Sequence, residues 1–404
     1  MIPPAPEESI APACGHRPPW RALLLRFVRK DVLTLVGGTR LAFVALTYLG
    51  LVLIHDARIF GTTQVGFSRP LLRHWVHWDA NWYLGISQFG YGWAHRRFQS
   101  PTGFFPLYPA LIHTITVVTH LSPTVVGLAL TSLSYALAML LLSRLCQVEG
   151  VGAEVAWRTV LYISLFPTAF FFFAPYPEAL FLLLQVATFL ALRRGRWGRA
   201  ALWGALATLT RPPGILLALP FAWEYLAQRQ WRWRAIRLDA LSVLALPAAL
   251  GGWAVALGAL THDPLAFAHH QQDWQLALEW PWQTLGDSLS ALWMAPPDSF
   301  FQAHNLLELG GLTLCVSLSA AGWRRLPRSY TLYTVAVVLL VLLVPAHTRL
   351  PLTSFLRRLV VLFPLFIVLA MEGRRPWVHT LYLCGASSLL TLFTVVYLNG
   401  GFVE

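Results

Sequence analysis

Residues 33–54 read LTLVGGTRLAFVALTYLGLVLI. At 1.5 Å of rise per residue, a helix over this run crosses a hydrocarbon core of about 30 Å. Arg21, Arg26, Arg29 and Lys30 precede it, and basic residues mark the cytoplasmic side of a span. Residues 1–32 are therefore expected to form a cytoplasmic, Pro-rich and basic segment, disordered over its first nineteen positions, and no cleavable signal peptide is evident. Comparable apolar runs recur at about 124–145, 157–174, 178–193, 238–260, 305–322, 329–345, 357–371 and 377–397. The charges between them alternate consistently, with the turns 193–199, 229–237, 323–328 and 372–375 basic and therefore inside. The expected fold is an all-α polytopic membrane bundle of about nine spans. It forms one integral-membrane domain over 33–404, with outer loops at 55–123 and 261–304. No internal repeat is visible.

Two stretches depart from simple spans. The apolar run at 104–119 is too short for a comfortable crossing and predicts a re-entrant or interfacial helix. Residues 200–209 and 214–227 are half-length runs broken by Thr210-Arg211-Pro212-Pro213-Gly214. Both flanks are basic, which favours a hairpin entering and leaving on the cytoplasmic side; a single broken span is the alternative.

Composition supports this class: 56% of residues are hydrophobic, 12% are charged, and the mean hydropathy is +0.57. The net charge of +12 comes from arginines at the ends of apolar runs, as anionic headgroups and membrane topology require, so the bilayer rather than nucleic acid is the expected partner. Cys14, Cys146, Cys315 and Cys384 are scattered without metal-ligand spacing. Nucleotide-binding glycine motifs and HExxH are absent, and Asp79 has no second acid within a few residues. Neither a cofactor nor a divalent metal is signalled.

The chemistry concentrates in His77-Trp78-Asp79-Ala80-Asn81-Trp82-Tyr83, just after the first span. A carboxylate among aromatic and amide groups at a membrane face can act as a base on a polar substrate, with the rings offering flat surfaces to a sugar. The structural alternative is an aromatic interface belt with Asp79 capping a helix. His74 and His77 could orient the acid or contact sugar hydroxyls. Glu178, in a Pro-Tyr-Pro-Glu turn, faces the same side and is either a second site acid or a helix-dipole partner. An arginine within the membrane, such as Arg211, is costly unless it meets an anion. Arg349, Arg357 and Arg358 flank the last outer turn, where forked donors suit a lipid phosphate or generic headgroup anchoring.

Four ordered motifs carry a resemblance. His77-Trp78-Asp79-Ala80-x-Trp82-Tyr83-Leu84, Gly90-Tyr91 and Phe104-Phe105-Pro106-Leu107-Tyr108-Pro109 resemble the first outer loop of the PIG-V-like mannosyltransferases, which include bacterial relatives of the second mannosyltransferase of GPI-anchor synthesis. Tyr176-Pro177-Glu178-Ala179-Leu180-Phe181, Leu209-Thr210-Arg211-Pro212-x-Gly214, and Ser354-x-x-Arg357 with Phe363-Pro364 are similar to the later family motifs; Pro177 and Pro213 depart from the usual residues. The resemblance implies a GT-C-class membrane glycosyltransferase in a bacterial plasma membrane, with an extracytoplasmic site and no cofactor. It implies inverting transfer of a sugar, by analogy mannose, from a polyprenyl-phosphate donor to a glycolipid, glycan or protein acceptor.

In that reading Asp79 and Glu178 are the catalytic acids. His77, Trp78, Asn81, Trp82, Tyr83, Tyr108, Tyr176, Arg211 and Arg357 bind substrate, the two arginines at the leaving phosphate. The competing class is a transporter or lipid flippase in which the acids gate substrate. Acids near one face and the lack of a repeat argue against it.

Overall fold

The computed structural model describes residues 19–53, 70–92, 100–352 and 354–403. The first eighteen residues of the expected cytoplasmic segment, Ile54 at the end of the first expected span, and 55–69 and 93–99 of the first expected outer loop lie outside it. The described chain is helical, and the only β pairing within it is an isolated bridge between Leu276 and Ala346. In chain order, the first helices are α1 (Pro19–Leu53), α2 (Asp79–Phe89), α3 (Leu107–Thr119), α4 (Pro123–Val148), α5 (Ala153–Leu165) and α6 (Glu178–Leu192). Next come α7 (Trp197–Thr210), α8 (Ala218–Gln228), α9 (Ala245–Thr261), α10 (Ala266–His269) and α11 (Pro281–Met294). The chain ends with α12 (Phe300–Gly322), α13 (Arg328–Leu343), α14 (Phe355–Leu359), α15 (Phe363–Glu372) and α16 (Pro376–Leu398).

Among the described residues five helical segments are long and apolar enough to cross a membrane: Lys30–Leu53, Pro123–Val148, Leu238–Thr261, Phe300–Gly322 and Pro376–Leu398. The chain is an all-α integral membrane bundle. Local sequence sets several boundaries. Ser122 accepts a hydrogen bond from Val125 N with Pro123 behind it, and Ser299 accepts one from Gln302 N, so α4 and α12 each begin on a hydroxyl cap. Helix α6 is apolar all round and buried along almost its whole length, as a helix at the centre of a bundle must be. It packs between α4 and α7.

Two expected spans are interrupted. The run 157–174 is helical only as far as Leu165. Pro167 holds Phe166 in an extended conformation, a short 3-10 turn follows at Ala169–Phe172, and the chain reaches Pro177 as buried irregular backbone. Polar backbone of this kind is tolerated at membrane depth only where it is satisfied internally. Here Arg40 donates to Phe172 O, Thr131 Oγ1 to Tyr176 O at 3.2 Å, and turn bonds supply several of the other partners. The run 357–371 is likewise divided, into α14 and the ten-residue α15, with Pro364 opening the second helix and Leu362 outside helical geometry. Hydropathy sees an unbroken apolar run in both places because the residues at the breaks are themselves apolar.

The 200–227 region is an antiparallel hairpin. Trp197, at the start of α7, packs on Phe221 and Tyr225 of α8 with ring centroids 5.6 and 4.8 Å away, and Gln228 Nε2 donates to Leu192 O at 2.9 Å. The chain therefore returns to the level from which it left. The tip closes because Gly214 lies directly on the Ala207–Thr208 backbone, where any β-carbon would collide.

The stretch 261–304, expected as the second outer loop, contains α10, a 3-10 turn and α11. It is stitched to the segment before α14 by Glu279 N to Leu343 O at 3.0 Å and His347 N to Gln275 O at 2.8 Å. It meets the first loop through Thr102 Oγ1 and His270 Nδ1 at 2.8 Å.

Candidate active site

Four charged side chains far apart in the sequence converge at one end of α6. Asp79 is the first residue of α2 and Glu178 the first of α6. Arg211 follows the last residue of α7 at the hairpin tip, and Arg357 lies in the short α14. Arg357 bridges the two acids: Nη1 lies 2.6 Å from Asp79 Oδ2, and Nε pairs with Glu178 Oε1. Arg211 Nη1 approaches the same Glu178 oxygen at 2.7 Å. The set is electrically balanced, and two guanidiniums on one carboxylate are the strong, charge-assisted kind of contact.

Aromatic rings complete the mount. The Arg357 guanidinium carbon lies 5.0 Å from the Phe171 ring centroid and 4.6 Å from that of Tyr176, both from the irregular segment after α5. The break in that expected span is what puts the rings there. Tyr176 Oη donates to His77 O at 3.0 Å, tying the Glu178 turn to the Asp79 loop.

Accessibility separates the acids. The Glu178 side chain is fully buried, whereas that of Asp79 is 23% exposed. Asp79 does not act as a helix cap: Trp78 occupies the N-cap with a positive φ of 50° and no side-chain cap bond, and the carboxylate goes to Arg357. Glu178 was expected to face substrate as a second catalytic acid. It is instead sealed behind the arginines, with Oε2 buried and without a hydrogen-bond partner among the described residues.

Of the other expected substrate contacts, Tyr83 feels the charges of all four site residues. It packs edge-on against Phe104 and Tyr108. Burial pushes its phenol well above the usual range, with smaller effects from Arg211, Asp79, Glu178 and Arg357. It stays a neutral hydroxyl. Trp82 stacks on Phe104 at 5.6 Å. Tyr108 is a correction: it is wholly buried, with its hydroxyl on Thr131 Oγ1 at 2.7 Å and on Gly127 O, so it braces α3 against α4 and has no open face for a sugar. Trp78 remains exposed, with its indole donating to Gly401 O at 3.3 Å and its ring meeting Phe402 edge-on. Asn81 is exposed and bonds locally to Trp78 O, Tyr176 is wholly buried, and His77 lies edge-on to Tyr397.

The sequence reading passed over Arg40, Phe171, His304 and Glu308. Arg40 and Glu308 could have been found as charged residues within apolar runs; Phe171 carries no signal beyond hydrophobicity.

A cavity of about 260 Å³ adjoins the charged set. Its walls are apolar, including Phe181, Val337, Leu340 and Val361, and Arg211 and Arg358 supply cations. A larger cavity of about 630 Å³, beside α11 and residues 346–351, is lined by none of the four charged residues. Among the described residues no three His, Cys, Asp or Glu side chains cluster to hold a metal ion.

A further charged cluster sits at the opposite end of α6. Arg193 pairs with Glu149 at 2.7 Å and Glu224 at 3.0 Å, while Ser329 and Tyr330 donate to the same acids. Fifteen residues at 1.5 Å each put the two clusters about 22 Å apart. They fasten the two ends of the central helix.

Residues 61–237 match the mannosyltransferase (PIG-V) family. That stretch contains Asp79, Glu178 and Arg211, and Arg357 lies beyond it. Solved structures similar to the chain include ArnT from Cupriavidus metallidurans bound to undecaprenyl phosphate, at 16% identity and a TM-score of 0.49, covering 86% of this chain and 62% of that one. The Archaeoglobus fulgidus oligosaccharyltransferase AglB, in complex with an inhibitory peptide and a dolichol-phosphate, is 12% identical with a TM-score of 0.39, covering 91% of this chain and 55% of that one. The chain spans less than two thirds of the length of either. No curated protein matches it.

Proposed function

We propose that this protein is an inverting mannosyltransferase that moves mannose from a polyprenyl-phosphate donor to an acceptor hydroxyl on the extracytoplasmic face of a bacterial plasma membrane. The observation that carries the reading is the Arg357 bridge between Asp79 and Glu178. It lies beside an apolar cavity and within reach of motifs that match the PIG-V family.

Asp79 is the general base. It is the more accessible acid, and Arg357 Nη1 engages its Oδ2. It takes the proton from the acceptor hydroxyl as that oxygen attacks the anomeric carbon. The bond from that carbon to the phosphate oxygen breaks, and the lipid phosphate leaves with the electron pair. Its negative charge has to be met by fixed cations. Because Arg357 and Arg211 are already balanced by the two acids, the phosphate must share one of them with Glu178. Arg211 is the one to share, being 15% exposed against 5% for Arg357 and lining the cavity with Arg358. Arg357 then organises the acids, Glu178 positions the arginines, and the apolar cavity takes the first units of the lipid chain. The cationic work falls to arginine, with no metal assigned.

The test is a transfer assay on purified protein in nanodiscs, offering a panel of polyprenyl-phosphate sugars with membrane extract as acceptor. Transfer from polyprenyl-phosphate mannose is expected. Lipid scrambling or solute uptake with no transfer from any donor would replace the enzyme with a transporter.

A further inference from the structure

Helix α12 carries a buried acid that the proposed chemistry does not use. Glu308 is 2% exposed, eight residues into an apolar span, where an ionisable group is costly unless it is paired. Its Oε2 accepts the Leu356 N–H at 2.9 Å, and His304 Nε2, one turn earlier, lies 3.3 Å from its Oε1. Leu356 is the second residue of α14, whose N-cap Ser354 has a left-handed backbone (φ 65°) and makes no side-chain cap. The acid on α12 thus does for this short helix what a cap of its own would do.

The same peptide is held on its other side, since Thr168 Oγ1 donates to Leu356 O at 3.0 Å. One turn further along α12, Gly311 makes room for the Leu356 side chain, whose Cδ2 would lie 2.6 Å from any β-carbon there. Glu308 and Gly311, on one stripe of α12, bed the residue immediately before Arg357. Arg357 must reach Asp79 with Nη1 and Glu178 with Nε together, which fixes where its backbone has to be.

We propose that Glu308 is a positioning residue that sets the register of α14 so that Arg357 can span both site acids. The role rests on the transferase reading, although its geometry can be tested without it. Glu308→Leu removes the acceptor for the Leu356 N–H. It is expected to lower kcat by about 10- to 100-fold, the scale of a misplacement near 1 Å, with less effect on acceptor KM. Glu308→Gln, whose amide oxygen can still accept, recovers most of the loss. In an Arg357→Lys background, Glu308→Leu should cost no more than about twofold further, because both changes disable the same element.

Wild-type kcat in folded Glu308→Leu overturns the proposal, as does a Gln variant no better than the Leu one, or losses that simply multiply. Where Glu308→Leu fails to fold, Gly311→Ala decides. It displaces Leu356 while leaving the hydrogen-bonding groups in place, and unchanged kcat there is equally fatal. A wild-type protein without transfer activity tells against the transferase reading alone. In that case hydrogen exchange over residues 354–362 carries the test: about tenfold faster exchange in Glu308→Leu, restored in Glu308→Gln, supports the positioning role, and unchanged exchange overturns it.

Discussion

Asp79→Asn separates a chemical role for this acid from a structural one. Asparagine keeps the size and can still accept from Arg357 Nη1, but it cannot take the acceptor proton. If Asp79 is the general base, turnover falls by about 10² to 10⁴, a rise in barrier of about 2.7 to 5.4 kcal/mol. The stability effect is smaller. The pair being weakened is partly open, with 23% of the Asp79 side chain exposed, and Arg357 keeps Glu178, so no buried charge is left alone. A loss of about 1 to 2 kcal/mol is expected, between the values for exposed and buried pairs. Such a loss reduces the yield of folded protein but not the turnover of the molecules that fold. Helix capping does not confuse the result, because Asp79 makes no cap bond. The assay is single-turnover transfer by detergent-purified, monodisperse protein, normalised to folded fraction, with donor binding measured separately. Turnover within about threefold of wild type would refute Asp79 as the base.

Other consequences follow from the same geometry. Arg211→Ala should raise the donor KM at least about tenfold, from loss of a charge-assisted contact of roughly 1.5 to 3 kcal/mol; donor titration at saturating acceptor checks it, and an unmoved KM removes Arg211 from the phosphate site. Tyr108→Phe should cost about 1 to 3 kcal/mol in stability, by leaving the partners of its hydroxyl unmatched in the core. Its kcat should be unchanged, so a thermal shift with intact kinetics separates a brace from a sugar contact. Gly214→Ala should destabilise the α7–α8 hairpin by more than about 1 kcal/mol, because its methyl meets backbone rather than a yielding side chain; a melting temperature equal to wild type would contradict the close approach. Cysteines placed singly at 193–199 and in the 261–304 loop should label from opposite sides of the membrane, as the arginine bias requires.

Each member of the site could be nominated from the sequence, because an acid among aromatic residues or an arginine at a break in an apolar run is visible one position at a time. Asp79, Glu178, Arg211 and Arg357 were legible in this way. Their partnership was not. Arg357 lies 278 residues from Asp79 and 179 from Glu178, and nothing in local composition says which arginine will meet which acid. The same limit applies to Tyr108: an aromatic residue in a motif that follows the Asp79 stretch resembles a sugar platform, and only packing shows that its face is closed.

What the sequence determined by itself was the membrane class, the location of the apolar segments and the basic ends of the spans. Hydropathy and charge act through the solvent on each segment separately, so they survive reading in one dimension. The tertiary structure decided the interruption of the two spans at Phe166–Pro167 and Leu362–Phe363, and the antiparallel closure of the 200–227 hairpin. It also decided the sealing of Glu178 and the bedding of α14 on Glu308. These depend on buried polar groups finding partners across the bundle. In a low-dielectric interior that pairing is enforced by the cost of leaving such a group unmatched, and the partner is set by which helices pack together.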